Sequence, residues 1–525
     1  MAAQDTTSWL FLWAAYTSYV VSGLNILILA SDGSNSHVLF WNRIADTLIG
    51  QGHDVSVWMS RTQRPDGAPK LRLSNLTTVF ETWHDFGTHH DDFEAGIFND
   101  TTGNYGQSIQ LFEHYTRSCH KLLRQDTIIT NLMSKFSKFD LALIHTCDFC
   151  PTVLARAKFN ISHLAVLSIE PLFDHIPTVL GLHVVPSYIP PCLTPYSDSM
   201  TFFQRLHSLF TYFITNVALY LPMSHFFRES LMYQRLTGAQ HATTMYEHMA
   251  GRMTVLVNGY RMLDFPRPFS TQQLYLGATT SSLTQSLDTN WLRLIEDARY
   301  EGLIVVAFGT MVRPEIVPRQ MALSILCTLG DYGQHLIVWR FDRARLNVTS
   351  VPNNIHIVPW LPQRALLQHP KTRLLITHGG YQGLLEAARV GVPLVQVPLF
   401  VDHHANVART RRLGVGVHVH KHNVTRQSLN EAVRLALSEK YQNRAKQLTG
   451  MLSDQLDRED VNLDHALKFA ASNFDLRNPS PVPYLYRSCL APDDERLRLI
   501  FLDRRQFLTK SQILPQLWIG SNQIA

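Results

Sequence analysis

The sequence predicts an α/β protein made of two doubly wound domains that face each other across a cleft. Its 525 residues exceed what one ordinary hydrophobic core accommodates. Two series of short apolar runs alternate with helical patterns along the chain, which is typical of parallel sheets covered on both faces. In such sheets ligands bind at the carboxyl ends of the strands, so the cleft is the expected site.

The first series opens with the apolar run NILILA at Asn25–Ala30. A polar loop follows over Ser31–Ser36, and apolar residues at helical spacing predict a helix from about His37 to Gln51. Gly52 ends this helix. Further strands are predicted at Asp54–Trp58, Phe139–His145 and Ser162–Ser168. These elements predict a first domain over residues 24–275.

The second series predicts a second domain over residues 276–470. It starts with GLIVVAFG at Gly302–Gly309, and strands are expected at His335–Arg340, Asn354–Pro359, Arg373–Thr377 and Pro393–Pro398. Helices are expected at Pro318–Leu329, Pro362–Gln368, Tyr381–Val390 and His403–Arg412, with one long helix over about Gln427–Leu448. The stiff and then polar stretch at Asp264–Asp288 predicts the boundary between the two domains.

The two ends of the chain differ from the domains. Residues 1–23 are interpreted as a signal peptide, because the apolar run Trp9–Val21 is short and is followed by small residues. Cleavage is expected near Leu24, and an uncleaved anchor or a buried strand is the alternative. Residues 471–525 are rich in Pro and mixed charge, and they form a divergent tail without a clear membrane span.

Composition and modification motifs indicate the compartment. The five N-x-S/T sequons favour the secretory pathway, with the endoplasmic reticulum lumen or lumenal membrane face as the expected location and secretion as the alternative. Six cysteines are too few for a disulfide scaffold but allow one or two bridges. The net charge of +5 is dispersed, so no nucleic-acid partner is expected. The sequons are Asn75, Asn99, Asn160, Asn347 and Asn423.

One internal segment, Thr201–Pro222, is apolar but interrupted by Gln204, Arg205 and His207. It is interpreted as a buried or interfacial helix rather than a membrane span. Peripheral membrane association and homo-oligomer formation both stay open at this point.

A phosphate site is predicted where the strand Leu374–Thr377 meets the next helix. Free backbone N–H groups and the helix dipole make such a junction a good anion site, and glycine lets the backbone approach closely. A plain strand-to-helix turn is the alternative for this motif taken alone. The residues expected to surround a diphosphate are His378, Gly380, Gln382 and Gly383, together with Gly309 and Thr310 of an earlier loop.

Three further residues are candidates for holding a nucleoside. Glu386 lies on the helix after the phosphate motif, where its carboxylate can accept hydrogen bonds from two ribose hydroxyls. Trp360 follows another strand, and its indole can stack on a flat base. Gln363, three residues later, can bond the base edge or the ribose.

Five features follow one another in the second half of the chain: WLPQ, THGG, a Glu six residues after its second Gly, GVP and PLF-x-D. Together they resemble the signature of the UDP-glycosyltransferases, which include the UDP-glucuronosyltransferases. The likeness extends to NGYRMLDFPRP, VVAFGTMV and VWRF. It implies a GT-B fold with a UDP-sugar in the C-terminal half and a small, lipophilic acceptor in the N-terminal half.

The resemblance also implies residue roles. Trp360 would stack on uracil and Gln363 would support the nucleoside, while His378 would contact the diphosphate. Glu386 would bind the ribose and Asp402 the sugar hydroxyls. Two departures are present: Gln382 stands where the family usually has Asn, and His403 where it usually has Gln. His403 would bond a sugar hydroxyl or, if protonated, attract a uronate carboxylate.

Catalysis by the family implies a histidine base, and His37 matches its position at the start of the first helix. A carboxylate should orient this imidazole. The family often has an acid where this chain has His145, so Asp148 in the same loop is predicted to take that role. A cap of the helix beginning near Pro151 is the alternative for Asp148.

The predicted function is inverting transfer of a sugar, glucuronate or glucose, from a UDP-sugar to an acceptor hydroxyl. No metal and no further cofactor are expected. The alternative is a catalytically impaired UDP-sugar-binding protein that acts as a partner or regulator. Two weaker hypotheses are a thiol–disulfide site at Cys147 and Cys150 and a metal site at Asp402, His403 and His404.

Overall fold

The structure is a computed structural model, and it describes most of the chain between residues 23 and 472. The chain divides into two compact units, Met1–Leu476 and Arg477–Ala525, and all described residues lie in the first. The described residues are 23–31, 35–61, 78–83, 96–98, 103–135, 138–145, 149–179, 184–218, 221, 224–242, 244–268, 272–277, 286–454 and 459–472.

Several of the sequence predictions fall outside these ranges, including the sequons Asn75 and Asn99 and the cysteine Cys147. The predicted signal peptide lies outside the described ranges except for Gly23, and the predicted tail does so except for its first two residues. Asp148 also lies outside them. They therefore stay predictions.

The first sheet has seven strands, all parallel, in the order β3-β2-β1-β4-β5-β6-β7. The order reverses between β1 and β4, which is the doubly wound pattern that the sequence predicts. Three of these strands, β3, β6 and β7, are absent from the sequence prediction. The strands are β1 Asn25–Ser31, β2 Asp54–Arg61, β3 Thr78–Trp83, β4 Leu141–His145, β5 Leu164–Ser168, β6 Met253–Val257 and β7 Gln273–Tyr275.

The second sheet has six parallel strands in the order β10-β9-β8-β11-β12-β13. Its reversal lies between β8 and β11, so it repeats the design of the first sheet. Only β13 is absent from the sequence prediction. The strands are β8 Gly302–Ala307, β9 His335–Arg340, β10 Ile355–Val358, β11 Thr372–Thr377, β12 Leu394–Gln396 and β13 Gly416–His418.

Helices cover both faces of each sheet. Those of the first half of the chain are α1 Asn35–Gly50, α2 Gly103–Leu122, α3 Asp126–Lys135, α4 Cys150–Ala157, α5 His175–Val179, α6 Phe202–Ala218, α7 His225–Thr237 and α8 Thr244–Arg252. Those of the second half are α9 Thr289–Ile295, α10 Arg319–Gly330, α11 Gln363–Gln368, α12 Tyr381–Val390, α13 His403–Leu413, α14 Arg426–Ala436, α15 Glu439–Ser453 and α16 Glu459–Ala471. Within the described ranges, no helix combines the length and the apolar character needed to cross a membrane.

The long helix predicted over Gln427–Leu448 is wrong, because two helices occupy this stretch. Helix α14 ends at Ala436, and Ser438 adopts the extended backbone of an N-cap before α15 begins. The apolar positions on either side of the break keep a helical spacing, so periodicity alone does not reveal the interruption. The Ser438 side chain donates to the Leu435 carbonyl, which helps to end α14.

Four hydrophobic clusters form the core, two on each sheet, as expected for sheets covered on both faces. Helix α16 belongs to the first sheet, although it lies late in the chain. Its Leu463 and Leu467 are buried against Ile26 and Ile28, and His53 Nε2 lies 3.0 Å from Asp464 Oδ1. The predicted boundary at residue 275 stays a prediction, but the chain returns to its first sheet after the second is complete.

Candidate active site

The candidate site has two halves, each at the carboxyl ends of one parallel sheet. The donor half comprises residues that follow β8, β10, β11 and β12 of the second sheet. The base half comprises His37, His145 and Glu170, which lie at or after the ends of β1, β4 and β5 of the first. Both lie at the carboxyl ends of the strands, as the sequence predicts.

His378 lies between two glycine backbones at the end of β11. A Cβ atom on Gly309 or on Gly380 would come within 2.6 Å of the His378 ring, so neither position accepts a side chain without displacing the imidazole. Gly309 also has a φ of 72°, which favours glycine. The loop after β8 and the turn after β11 are therefore packed together through His378, as a shared phosphate site requires.

His378 is neutral at physiological pH. Burial lowers its pKa to about 4, and the nearby Arg340 guanidinium acts in the same direction. A neutral imidazole offers a diphosphate one hydrogen bond but no positive charge. The charge of a bound diphosphate must then be stabilised mainly by the N-terminus of α12 and by Arg340.

Arg340 and Thr310 each carry a buried polar atom that is available to a ligand. Thr310 Oγ1 and Arg340 Nε are buried, and none of the described residues offers either atom a hydrogen bond. Arg340 Nη1 donates to the Gly309 carbonyl, which fixes the guanidinium against the predicted phosphate loop. Buried polar groups are normally paired, so these two atoms are candidates for bonding an anion. The sequence pattern indicates no role for Arg340, which lies within VWRF.

The predicted nucleoside residues lie together. Gln363 Nε2 donates to Glu386 Oε2 over 2.8 Å, so α11 and α12 bring the amide and the carboxylate to one place. Trp360 is 52% exposed, which leaves its indole face open for stacking. The Arg340 guanidinium lies 5.7 Å from the Trp360 ring and connects this group to the phosphate loop.

The side chain of Gln382 contacts the first half of the chain. Its Nε2 donates to the carbonyl of Ile169 over 3.3 Å, and Ile169 belongs to the loop after β5 of the first sheet. The side chain thus bridges the two halves, and the binding of a diphosphate by the Gln382 backbone N–H stays a prediction. Gly383 follows in the first turn of α12, close to the Gln363 amide.

Asp402 is a buried carboxylate at the N-cap position of α13. Burial raises its pKa to about 6, and the negative charge of Glu170 acts in the same direction. Asn406 Nδ2 donates to Asp402 Oδ2 over 2.7 Å and fixes the carboxylate. The preceding Val401 has a φ of 49°, a strained conformation for a β-branched residue. Such strain is common where a binding side chain is held in place.

His403 is also neutral. Burial lowers its pKa well below the usual range, and the His378 ring packs edge-on against it with centroids 4.6 Å apart. The backbone N–H of Phe400 donates to His403 Nδ1, so Nε2 carries the proton. His403 can therefore donate to a hydroxyl, but it does not supply the positive charge that would attract a uronate.

The base half is built around Glu170. The carboxylate bonds His37 Nε2 through Oε1 and lies 3.3 Å from His145 Nε2 through Oε2. The two imidazole rings meet edge-on with centroids 5.4 Å apart. Burial alone would raise the pKa of Glu170, but the two imidazoles outweigh it and hold the pKa well below its usual range. Glu170 is thus a stable carboxylate beside the predicted base.

The sequence pattern does not indicate Glu170 and predicts the supporting role for Asp148. Asp148 lies outside the described residues, so its role stays a prediction. Glu170 follows β5, which is next to β4 in the sheet, so the two strand ends are adjacent. A search for acids after every predicted strand, rather than only after the strand that ends at His145, would have found it.

The three side chains of the base half also lie within 4.8 Å of one another, close enough to share a small cation. Hydrogen bonds among them account for the same arrangement. In the donor half, Asp402 bonds Asn406, and His403 packs against His378 and Phe400. This packing gives the metal hypothesis for these residues no support.

Electrostatic and hydrogen-bond contacts join the two halves. Besides the bond from Gln382 to Ile169, the charge of Glu170 acts on Asp402, and the charge of Arg43 on α1 acts on Glu386. Arg43 is a further residue that the sequence analysis did not single out. The carboxylate that bonds the predicted base therefore lies near the predicted sugar-binding carboxylate.

A buried ion pair ties the sheets together next to this space. Arg409 of α13 donates to Asp264 Oδ1 through Nε and Nη2, at 3.2 and 3.0 Å. Arg267 and the Tyr275 hydroxyl bond the same carboxylate. The positive charges of Arg267 and Arg409 outweigh burial and lower the pKa of Asp264.

The cysteines do not support the thiol–disulfide hypothesis. Cys150 forms a disulfide with Cys119 of α2, across a Cα–Cα distance of 5.5 Å. Cys147 lies outside the described residues. Cys150 is therefore engaged in a bridge between two helices rather than in a C-x-x-C pair.

Comparison with known proteins agrees with the geometry. The family model described as "UDP-glucoronosyl and UDP-glucosyl transferase" matches residues 25–467. The putative UDP-glucuronosyltransferase ugt-60 of Caenorhabditis elegans is 31% identical over 468 residues, which cover 86% of this chain and 91% of the relative. The 2-hydroxyacylsphingosine 1-beta-galactosyltransferase of Rattus norvegicus is 26% identical and is covered over 80% of its length, with 86% of this chain.

Solved structures show the same architecture. A UDP-glucosyltransferase from Polygonum tinctorium, capable of glucosylating indoxyl, superimposes with a TM-score of 0.58 at 14% identity. The match covers 86% of this chain and 98% of that chain. It confirms the predicted GT-B fold, in which two doubly wound domains face each other.

Proposed function

The chain belongs to the UDP-glucoronosyl and UDP-glucosyl transferase family, and from this premise we propose which sugar it transfers and how. It is a UDP-glycosyltransferase. The proposal is that it transfers a neutral hexose, such as glucose, to the hydroxyl of a lipophilic acceptor. The transfer inverts the configuration at the sugar C1, and His37 acts as the general base.

One observation carries the proposal: Glu170, which bonds His37, lies close enough to Asp402 for its charge to raise the pKa of Asp402. A direct displacement needs the base and the donor sugar on opposite sides of the reacting acceptor oxygen. The bridge from Gln382 to Ile169 supports this juxtaposition, because it holds the donor helix against the loop that carries Glu170.

In the proposed reaction Glu170 keeps the proton of His37 on Nε2, so Nδ1 is the basic nitrogen. The acceptor hydroxyl gives its proton to Nδ1 as its oxygen attacks the sugar C1. The bond from C1 to the diphosphate oxygen breaks, and UDP leaves with the electron pair. Glu170 stabilises the imidazolium, while Arg340 and the N-terminus of α12 stabilise the leaving diphosphate.

The preference for a neutral sugar rests on the donor half. His403 is buried and neutral, so it offers a hydrogen bond and no cation. The neighbouring Asp402 is an acid, which would repel a uronate when ionised. The curated relatives include both glucuronosyl- and galactosyltransferases, so family membership leaves the sugar open.

The lipophilic acceptor is supported by relatives rather than by a contact. The rat relative is named for a sphingosine derivative, and the plant structure is described as glucosylating indoxyl. Both names denote apolar molecules with a reactive polar group. We extend that class to this chain as part of the proposal.

Donor competition tests the sugar. Purified full-length protein is incubated with a mixed panel of lipophilic alcohols and phenols and with UDP-glucose, UDP-galactose, UDP-xylose, UDP-N-acetylglucosamine or UDP-glucuronate. Product is measured by mass spectrometry and its anomer by NMR. A neutral UDP-hexose is expected to give the highest kcat/KM and a β-linked product from an α-linked donor. A preference for UDP-glucuronate, or retention of configuration, contradicts the proposal.

We also propose that the chain works in an oxidising compartment of the secretory pathway. The Cys119–Cys150 bridge supports this location, since stable disulfides are rare in reducing compartments. The three sequon asparagines within the described residues, Asn160, Asn347 and Asn423, are all exposed, as N-glycosylation requires. Endoglycosidase sensitivity of the protein expressed in its own type of cell tests the idea.

The alternative of a catalytically impaired binding protein is not favoured. The departures from the family at Gln382, His403 and His145 and the divergent tail all allow it, and the one at His145 replaces the usual acid. Glu170 supplies a carboxylate to His37 despite that departure. Binding of UDP without turnover of any donor in the panel above would revive the alternative.

A further inference from the structure

Helix α6 (Phe202–Ala218) exposes an unusual number of large apolar side chains. Seven of them are between 49% and 78% exposed. They recur every three or four residues and so form one face of the helix, here called the outer face. Its members are Phe202, Phe203, Leu206, Leu209, Phe210, Phe213 and Ile214.

The inner face of α6 is polar. Ser208 is fully buried and donates to the carbonyl of Pro186 over 2.6 Å, and Thr211 is also buried. The Tyr212 hydroxyl lies 3.3 Å from Thr178 Oγ1. The usual arrangement of a surface helix is therefore reversed, with polar groups toward the protein and apolar groups outward. Contiguous exposed apolar surface of this kind marks a contact with another apolar phase.

We propose that the outer face of α6 rests on a lipid surface and attaches the protein peripherally to a membrane. A 17-residue helix is about 25 Å long, so the outer face can lie along a flat surface over its whole length. A lipid surface accepts such a face, because binding grows with each apolar side chain that is inserted.

The charges on α6 also favour a lipid surface as its partner. The sequence of α6 contains no Asp or Glu, and its Arg205 and His207 are exposed beside the apolar side chains. The whole chain carries a net charge of +5. Basic groups beside an inserted apolar face are attracted to anionic headgroups, and an acid at the same place would be repelled.

The helix lies along the lipid surface rather than through it. Its polar inner face is held by the bond from Ser208 to Pro186 and by the contact between Tyr212 and Thr178. Moving these polar groups into hydrocarbon would break the hydrogen bonds that they make within the protein. Only the outer face is then available, and the attachment is reversible. This inference does not depend on the proposed transferase chemistry.

Hydroxyl-radical footprinting read by mass spectrometry tests the proposal on the whole chain. Phenylalanine is reactive, so oxidation of the four outer-face Phe residues is measured with and without vesicles of phosphatidylcholine mixed with phosphatidylserine. Their oxidation is expected to fall about tenfold when vesicles are added. Oxidation of exposed apolar residues elsewhere, Ile109, Leu236 and Leu435, is expected to stay the same.

A pair of matched variants gives an independent measurement. The outer-face variant Phe203→Glu/Phe210→Glu/Phe213→Glu is compared with Ile109→Glu/Leu236→Glu/Leu435→Glu, which makes the same change at exposed positions on other helices. The first is expected to lower protection of Phe202 by vesicles at least ~10-fold, since three inserted rings are replaced by charges, and the second to leave it unchanged.

Three results overturn the proposal. Equal oxidation of the four Phe residues with and without vesicles excludes lipid contact. Protection without vesicles that rises with protein concentration assigns the outer face to a second copy of the chain. Protection without vesicles that is independent of concentration assigns it to another segment of the same chain. The wild-type footprint decides among these, even if a variant fails to fold.

Discussion

The donor half and the base half of the site differ in how their residues are distributed along the chain. Most donor-half residues lie between Trp360 and His403, on consecutive elements of one sheet. The three base-half residues come from the ends of three strands, and more than a hundred residues separate His37 from His145 and Glu170. Sequence spacing therefore reports the donor half directly, whereas the base half depends on which strands are neighbours.

The two halves also differ in electrostatics. His378 and His403 of the donor half are kept neutral by burial, whereas the imidazole of His37 lies against an ionised Glu170. The same residue type thus serves as a hydrogen-bond donor in one half and as a base in the other. The following predictions test this division of roles, from the largest expected effect to the smallest.

Removing the imidazole of the base half should nearly abolish turnover. His37→Ala is expected to lower kcat by about a thousandfold, because general-base catalysis contributes about 10²–10⁴ to the rate. The Kd for UDP, measured by calorimetry, should change less than twofold, since no donor-half contact is lost. If kcat is unchanged, or if UDP binding is lost as well, His37 is not a base that acts separately from donor binding.

Removing the charge of Glu170 should cost less but should change the pH profile. Glu170→Gln is expected to lower kcat by about a hundredfold, because the imidazolium formed in the reaction loses its counter-charge. For the same reason the acid limb of kcat/KM should move to lower pH. A purely structural role for Glu170 would lower kcat without moving that limb.

Asp148→Asn is the matched control, since it makes the same change at the acid that the sequence predicts. It is expected to lower kcat less than Glu170→Gln does. The opposite order would return the supporting role to Asp148.

Asp402 connects donor binding to stability. Its pKa of about 6 lies above the value of 3.8 for an ordinary Asp, so the folded state holds the proton more tightly than the unfolded state. The protonated Asp402 side chain stabilises the folded state fully below about pH 4, and this stabilisation is lost as the pH rises through 6. Asp402→Asn is therefore expected to raise the free energy of unfolding at pH 7.5 by about 3 kcal/mol.

At pH 4 the same variant should be neither more nor less stable than the wild type, and at pH 7.5 it should bind the donor sugar more weakly. Chemical denaturation at both pH values measures the first effect, and KM for the UDP-sugar measures the second. Equal stability of the two proteins at pH 7.5 would show that the ionised Asp402 carboxylate does not destabilise the folded state.

The smallest effect is expected for the ribose contact. Glu386→Gln should weaken UDP binding about tenfold with kcat unchanged at saturation, because it removes charge-assisted bonds that are equal in the ground and transition states. Glu431→Gln on the exposed face of α14 is the control and should change neither constant. A fall in kcat for Glu386→Gln would show that this carboxylate stabilises the transition state and does not only bind UDP.

The sequence by itself determined the fold class, the second sheet and the donor half. Continuous apolar runs predict buried parallel strands, and a residue at the end of such a run lies at the ligand-binding edge whatever the rest of the chain does. The sequence therefore predicts that His378, Gln363 and Glu386 lie at one edge of the second sheet. Their individual roles stay predictions that the experiments above test.

Only the tertiary structure decided which carboxylate meets His37, which groups are charged and which face of α6 is exposed. Glu170 is adjacent to His37 because β5 pairs with β4 and β4 with β1, an order that no local spacing encodes. The charge states of Asp402 and His403 follow from burial by residues distant in sequence. Periodicity predicts that a helix has two faces, but what covers each face depends on the whole fold.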